Sequence, residues 1–155
     1  MFDGSLLIKR LTGYESLKLP KYYSKFAAGM DLYANLLKEH REKGISIPIN
    51  GRAIITTGIS VELPCDCEGQ IRSRSGLAAK NGIIVLNSPG TIDADYRGHL
   101  KVILANFGDQ DFLVQQGTRI AQLVISPVLR PKIKEVQDLS FSARGVKGFG
   151  STGLS

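Results

Sequence analysis

A chain of 155 residues, 43% hydrophobic and 22% charged, has the make-up of a soluble globular domain able to bury its own core, and no apolar stretch is long enough to span a bilayer. A net charge of +6 and a pI near 9.4 suit an anionic ligand or simply a solvated basic surface, and the 20 Lys and Arg residues form no block of five, which speaks against a nucleic-acid arm. Two cysteines one residue apart, Cys65 and Cys67, cannot complete a zinc site, and His40 and His99 lack the spacing of a histidine metal cage or of a Ser-His-Asp triad.

The opening MFDGSLLIKR sets Asp3 before a short apolar run and Lys9-Arg10 after it, the reverse of a secretory signal, so an intracellular, cytoplasmic protein is expected. Short β-like runs then recur at 6–10, 53–55, 60–63, 69–73, 83–86, 99–106 and 119–126. Several alternate apolar and polar residues, as in ISVEL at 59–63, which predicts strands with one buried face. Turn-forming stretches separate them: PING at 48–51, LPCDCEG at 63–69, NSPG at 87–90, FGDQD at 107–111 and QQG at 115–117. Many short strands at this spacing predict a sandwich, jelly roll or small barrel. Two segments have helical character. The charged 35–44 (NLLKEHREKG) fits a short surface helix or an ordered loop equally. The segment 75–81 (SGLAAKN) predicts about two turns, starting at Ser75 and stopped by Asn81-Gly82, with its first amides aimed at a phosphate. From about Arg130 the pattern dissolves into Gly and Ser, the composition of a C-terminal arm.

Three constellations could carry chemistry. NSPGTIDADYRG at 87–98 places Asp93 and Asp95 around Ala94, followed by Tyr96 and Arg97. In a strand the two acids share one face and Tyr96 takes the other; in a tight turn that parity fails, and either acid could face a pocket with Tyr96. Such a pair suits a general base beside a ring, or an Asx-type turn before the run at 99–106. IRSRSGLAAKNG at 71–82 puts Arg72, Arg74 and Ser75 ahead of the predicted helix, where guanidinium forks and amides bind phosphate, or where a strand merely ends in charge. GFGSTG at 148–153 matches a G-x-G-x-x-G pattern, but the chain leaves no room for the helix a dinucleotide fold requires. It reads instead as a glycine-rich basic arm able to fold over a ligand, with Phe149 as a stacking face.

AGMDLYA at 28–34, RSRSGLA at 72–78, GTIDADYRG at 90–98, GTRIAQL at 117–123 and RGVKGFGSTG at 144–153 resemble, in order and spacing, the five motifs of the trimeric dUTPases, over the chain from about residue 25 onward. The resemblance implies an all-β, distorted jelly-roll-like β-barrel, one domain over 1–155 with 130–155 as a mobile C-terminal arm, and a homotrimer whose three active sites each draw on all three chains. It implies hydrolysis of dUTP to dUMP and pyrophosphate with Mg2+, limiting uracil in DNA and supplying dUMP, with no membrane and no stable nucleic-acid partner. By match to the motifs, Asp93 is the general base that readies the attacking water, and Asp31 supports the metal through water. Arg74, Ser75, Gly76 and Gln122 hold phosphates, Asn87 reads the uracil edge, and Tyr96 packs on deoxyribose and excludes a 2′-hydroxyl. On the arm, Phe149 stacks on uracil while Arg144, Gly150, Ser151 and Thr152 close on the γ-phosphate.

Three positions depart from the motifs. Ser73 stands where Pro is usual, which would loosen the turn before Ser75; Thr118 replaces Asp; Lys147 replaces a frequent Gly. A dCTP deaminase-like enzyme of the same fold, or a non-catalytic nucleotide-binding regulator, are the competing expectations. RGVKGFGSTG argues against the first, and the presence of Asp93 and Arg144 against the second.

Overall fold

A computed structural model describes residues 4–146 and 148. In chain order the strands are Leu7–Arg10 (β1), Gly29–Tyr33 (β2), Ile45–Ile47 (β3), Arg52–Thr56 (β4), Ile59–Glu62 (β5) and Cys67–Arg72 (β6). The helix Ser75–Asn81 (α1) follows, then Ile83–Val85 (β7), Gly90–Ile92 (β8), Lys101–Asn106 (β9), Phe112–Val114 (β10) and Arg119–Pro127 (β11). Every strand pair is antiparallel. A four-stranded sheet runs β2-β11-β6-β8 and a three-stranded one β4-β9-β7, with the pairs β1-β5 and β10-β3 completing the set. The all-β, jelly-roll-like expectation holds, although among the described residues the four sheets do not close into a continuous barrel. Among those residues, no helix is long and apolar enough to cross a membrane.

The sheets meet over one apolar cluster. Leu32, Leu36, Ile47, Ile55, Leu104, Ile120 and Leu123, drawn from both larger sheets, the β10-β3 pair and a connecting loop, are all at most 1% exposed. Alternation explains it: in β6, Cys67, Gly69 and Ile71 are buried while Glu68, Gln70 and Arg72 are not. Helix α1 has the predicted bounds, and Gly82 ends it at φ 65°. A Cβ there would stand 2.3 Å from the Gly108 amide, so the position needs glycine both for its left-handed turn and for the close approach. Arg74, not Ser75, is the extended cap residue, with no side-chain cap bond.

The segment 35–44 is an ordered loop with one 3-10 turn, Lys38–His40, and not a helix. Leu36 is fully buried, and the Arg41 side chain donates to the Leu36 carbonyl at 3.1 Å and the Gly13 carbonyl at 2.6 Å, tying the loop to the N-terminal segment. At Ser73, where a looser turn was expected, the hydroxyl accepts the Val85 amide at 2.8 Å, a tie from the start of α1 to β7 that proline could not make.

Leu123 lies on β11, between its partners β2 and β6, and is fully buried. Leu123→Ala is expected to cost ~2–5 kcal/mol, from lost transfer energy plus an unfilled cavity. Urea denaturation at fixed protein concentration measures it, and a loss below about 1 kcal/mol would mean that the neighbouring strands collapse onto the gap.

Candidate active site

The expected site residues before the C-terminal arm fall into two clusters at different ends of the four-stranded sheet. The first surrounds a cavity of about 420 Å³ lined by Asn87, Gly90, Ile92, Asp93, Tyr96, His99 and Lys101, with Ile54, Ile71 and Ile103 as apolar wall. Strand β8 stops at Ile92, and the chain turns so that the Tyr96 amide donates to the Asp93 carbonyl at 3.1 Å. The turn resolves the parity question: Asp93 and Tyr96 line the same cavity. Asp95 points to a neighbouring cleft with Glu62, Arg97 and Arg130, a cleft that Asp93 also borders. Asp93 is exposed at the mouth, where its carboxylate can meet water. The Tyr96 ring lies across Gly98, where a Cβ would stand 2.4 Å from the phenol oxygen, so only glycine lets the ring settle there. The Tyr96 hydroxyl donates to the His99 carbonyl at 3.2 Å.

The second cluster is built on Asp31, a buried carboxylate in β2. Gln122 of β11 lies directly opposite, and its side-chain amide donates to Oδ1 at 3.3 Å. Arg119 donates to Oδ2 at 3.0 Å. In a regular strand residues 119 and 122 would face opposite sides; the register shift between Arg119 and Ala121 is a bulge that puts both on Asp31. Arg74, just past β6, brings Nε to 3.4 Å from Asp31 and donates from its terminal nitrogen to the Arg119 carbonyl at 3.0 Å. Two guanidinium groups facing one carboxylate leave an excess positive charge, and the Ser75 and Gly76 amides beside it lack helical acceptors. The donors converge in a way that suits an anion with several oxygens.

The sheet register separates the clusters. Ile92 sits opposite Gly69, whereas Asp31 and Gln122 align with Arg72. Three residue steps and three strand gaps intervene, about 10 Å along the strands and about 14 Å across them. Arg144 lies in a turn beyond an exposed segment, while Lys147, Phe149, Gly150, Ser151 and Thr152 lie outside the described residues. Among the described residues, no group of three or more His, Cys, Asp or Glu side chains could hold a metal ion alone.

Arg119, Tyr23 and Tyr33 had not been singled out from the sequence. Arg119 lies over the Tyr23 ring at 5.1 Å, and the Tyr23 and Tyr33 hydroxyls share a hydrogen bond. The only advance signal was the position of Arg119 inside GTRIAQL, three residues before Gln122.

The dUTPase family model matches residues 15–153. A deoxyuridine 5'-triphosphate nucleotidohydrolase of Rhizobium etli (strain CIAT 652) is 49% identical over 150 residues, covering 97% of this chain and 94% of its own. One from Caldanaerobacter subterraneus subsp. tengcongensis is 50% identical over 149 residues, with 96% and 97% covered. Among solved structures, a Staphylococcus bacteriophage 80alpha dUTPase with dUpNHpp superposes with a TM-score of 0.83 at 28% identity, over 97% of this chain and 99% of that one.

Tyr33 supplies a test of the second cluster. Its phenol is pushed up to about 12, first by burial and then by the hydrogen bond with Tyr23; Tyr23 and Asp31 charge add to the rise and Arg119 opposes it. The folded chain therefore keeps a proton that the unfolded chain releases above its ordinary 10.0. This stabilisation is whole below pH 10.0 and is lost as pH rises toward about 12. Urea midpoints taken across that window should fall more steeply for the parent than for Tyr33→Phe; parallel slopes would show that Tyr33 is not shielded.

Proposed function

The chain belongs to the dUTPase family, and from that membership we propose that it hydrolyses dUTP to dUMP and pyrophosphate by attack of water on the α-phosphorus. The reading rests above all on Asn87, Asp93 and Tyr96 sharing one cavity. Uracil enters beside Asn87, and deoxyribose packs on Tyr96 with no room for a 2′-hydroxyl. Asp93, at the mouth, takes a proton from the water as its oxygen bonds to the α-phosphorus. The bond from that phosphorus to the bridging oxygen breaks on the far side, and pyrophosphate leaves.

The triphosphate needs the second cluster. The register holds it far from Asp93 within one chain, which supports a scheme in which a neighbouring copy brings its Arg74, Ser75, Gly76 and Gln122 to the phosphates. A closed ring of three copies meets this need, giving three equivalent shared sites. The exposure of Leu129, Ile133, Leu139 and Phe141, each 89% or more, supports an arm over 130–155 that lies on a neighbour. Arg144, Phe149, Gly150, Ser151 and Thr152 then close the site, Phe149 on the base and the others on the γ-phosphate. Within this scheme 1–155 acts as one domain in the cytoplasm.

The donor set fits Mg2+ brought by the nucleotide. A carboxylate offers about four lone-pair sites, so Asp31 retains capacity for a water beyond its contacts with Arg74, Arg119 and Gln122. Asp31 and Gln122 would hold the ion through water, and it would offset the charge of the triphosphate.

The direct experiment is pyrophosphate release from dUTP, dTTP, dCTP and UTP, each with and without Mg2+. Turnover confined to dUTP and lost to EDTA is expected, and release from dTTP or UTP at a comparable rate would overturn the assignment. Asp93→Asn should lower kcat about 10²–10⁴-fold while KM for dUTP stays within a few-fold. Near-parent turnover by that variant would remove Asp93 from the mechanism. Shared sites make a further prediction. Asp93→Asn and Arg74→Ala, each inactive alone, should regain turnover when unfolded and refolded together, because a site can then take Asp93 from one chain and Arg74 from the other. A mixture as inactive as its parts would place each site within a single chain.

A further inference from the structure

The cavity wall contains a residue that the catalytic scheme does not use. His99 lines the cavity beside Asp93 and Tyr96, and its ring is wedged between two parts of the chain far away in sequence. Its Nε2 accepts the Gly58 amide at 3.0 Å. Its Nδ1 stands 3.4 Å from the Tyr14 hydroxyl, and the Tyr14 ring meets it edge-on at 4.9 Å and 74°. An acceptor at Nε2 puts the ring proton on Nδ1, where it can be donated to the Tyr14 oxygen. Burial first, then the charge of Lys101, hold the ring's pKa below the ordinary 6.5, so it remains the neutral acceptor that Gly58 requires. The same residue's carbonyl receives the Tyr96 hydroxyl. Its neighbour Leu100 is pinned as well: its amide donates to the Ile59 carbonyl at 2.9 Å.

We propose that His99 is a positioning residue for nucleoside recognition: its ring, clamped by Gly58 and Tyr14, fixes the carbonyl that holds Tyr96, and so sets the surface against which the sugar is judged. The inference rests on the reading of Tyr96 as the deoxyribose platform. Tyr96 itself is 43% exposed, and its ring rests on a glycine that offers no side wall. A phenol so placed is held through its hydroxyl, and the hydroxyl through the backbone of residue 99. The clamp thus acts on the sugar face and not on the attacking water. It bears on KM and on the choice between dUTP and UTP more than on kcat.

Steady-state kinetics on the full chain test it. His99→Ala should raise KM for dUTP about 3- to 10-fold, the worth of a hydrogen bond between neutral groups, with kcat nearly unchanged. Its preference for dUTP over UTP in kcat/KM should fall by a similar factor. His99→Gln, whose amide oxygen can accept the Gly58 amide, should recover most of both. In a Tyr96→Phe background, which already lacks the hydroxyl, His99→Ala should add little. If His99→Ala fails to fold, Tyr14→Phe, which removes one side of the clamp, should shift KM and the UTP ratio in the same direction by less. A variant that is merely less heat-stable, with KM and discrimination unmoved, would overturn the proposal; so would a full effect in the Tyr96→Phe background. A parent enzyme that leaves dUTP intact would instead sink the function itself, whereas a working parent with indifferent His99 variants sinks only the clamp.

Discussion

The register of the four-stranded sheet is the constraint on which the chemistry turns. Gln122 is paired with Asp31 on one side and Arg72 on the other, and Ile92 is paired with Gly69. These ladders fix the acid-bearing turn and the guanidinium cluster at a separation no rotamer change can close, because sliding a strand by one residue would turn its buried face outward. In the proposed assembly a chain built this way carries two half-sites. In a ring, each copy offers its Asp93 turn to one neighbour and its Arg74 cluster to another, a heterologous contact that closes without leaving a half-site unused. The sheet thus serves as a spacer as much as a core.

Local charge matters more here than total charge. The net +6 suggested an anionic ligand without placing it. Under the proposed function the positive charge that counts comes from two arginines brought together by a buried acid. A carboxylate as buried as Asp31 is tolerable only when paired, and removing either guanidinium would leave it under-compensated. The pairing also orders two long side chains before any ligand arrives, which under the proposed function lowers the entropy cost of gripping a phosphate. The bulge at Ile120 is the backbone device behind this arrangement, since it turns Arg119 onto the face already occupied by Gln122.

Much of this was legible in the sequence, and the failures have physical causes. Strands with a clear alternation, such as β5, β6 and β11, were located to within a residue or two, and the helix matched because Asn81-Gly82 is an unambiguous stop. The three-residue strands β3, β8 and β10 were missed since three residues show no period, whereas β7, equally short, stood out as the continuous apolar run IIVL. Strand β2 was missed for a related reason: Met30 and Leu32 alternate around Asp31, a single repeat too short to stand out. Asp93 and Tyr96 could be named but not joined, because strand and turn give opposite parities and only the bond from the Tyr96 amide to the Asp93 carbonyl decides. Arg119 was overlooked because a bulge cannot be read from strand parity. His99 was weighed only as a metal ligand or triad member, and its part in the cavity wall depends on Gly58 and Tyr14, both distant in sequence.

The exposure of Asp93 in one chain follows from the same geometry. In the proposed mechanism a base sealed inside a single chain would leave no path for a triphosphate lying across two clusters. Placed at the mouth of the cavity, Asp93 borders both the Tyr96 pocket and the cleft with Asp95 and Arg97, so its surroundings in a working site depend on what covers it. In the proposed assembly that cover is a neighbour's phosphate cluster and a third chain's arm. The electrostatic strength of the site then rises as water is expelled, which happens only when substrate and all three contributors are in place. The carboxylate is positioned by one turn, and in the proposed assembly its reactivity is set by the neighbours that cover it.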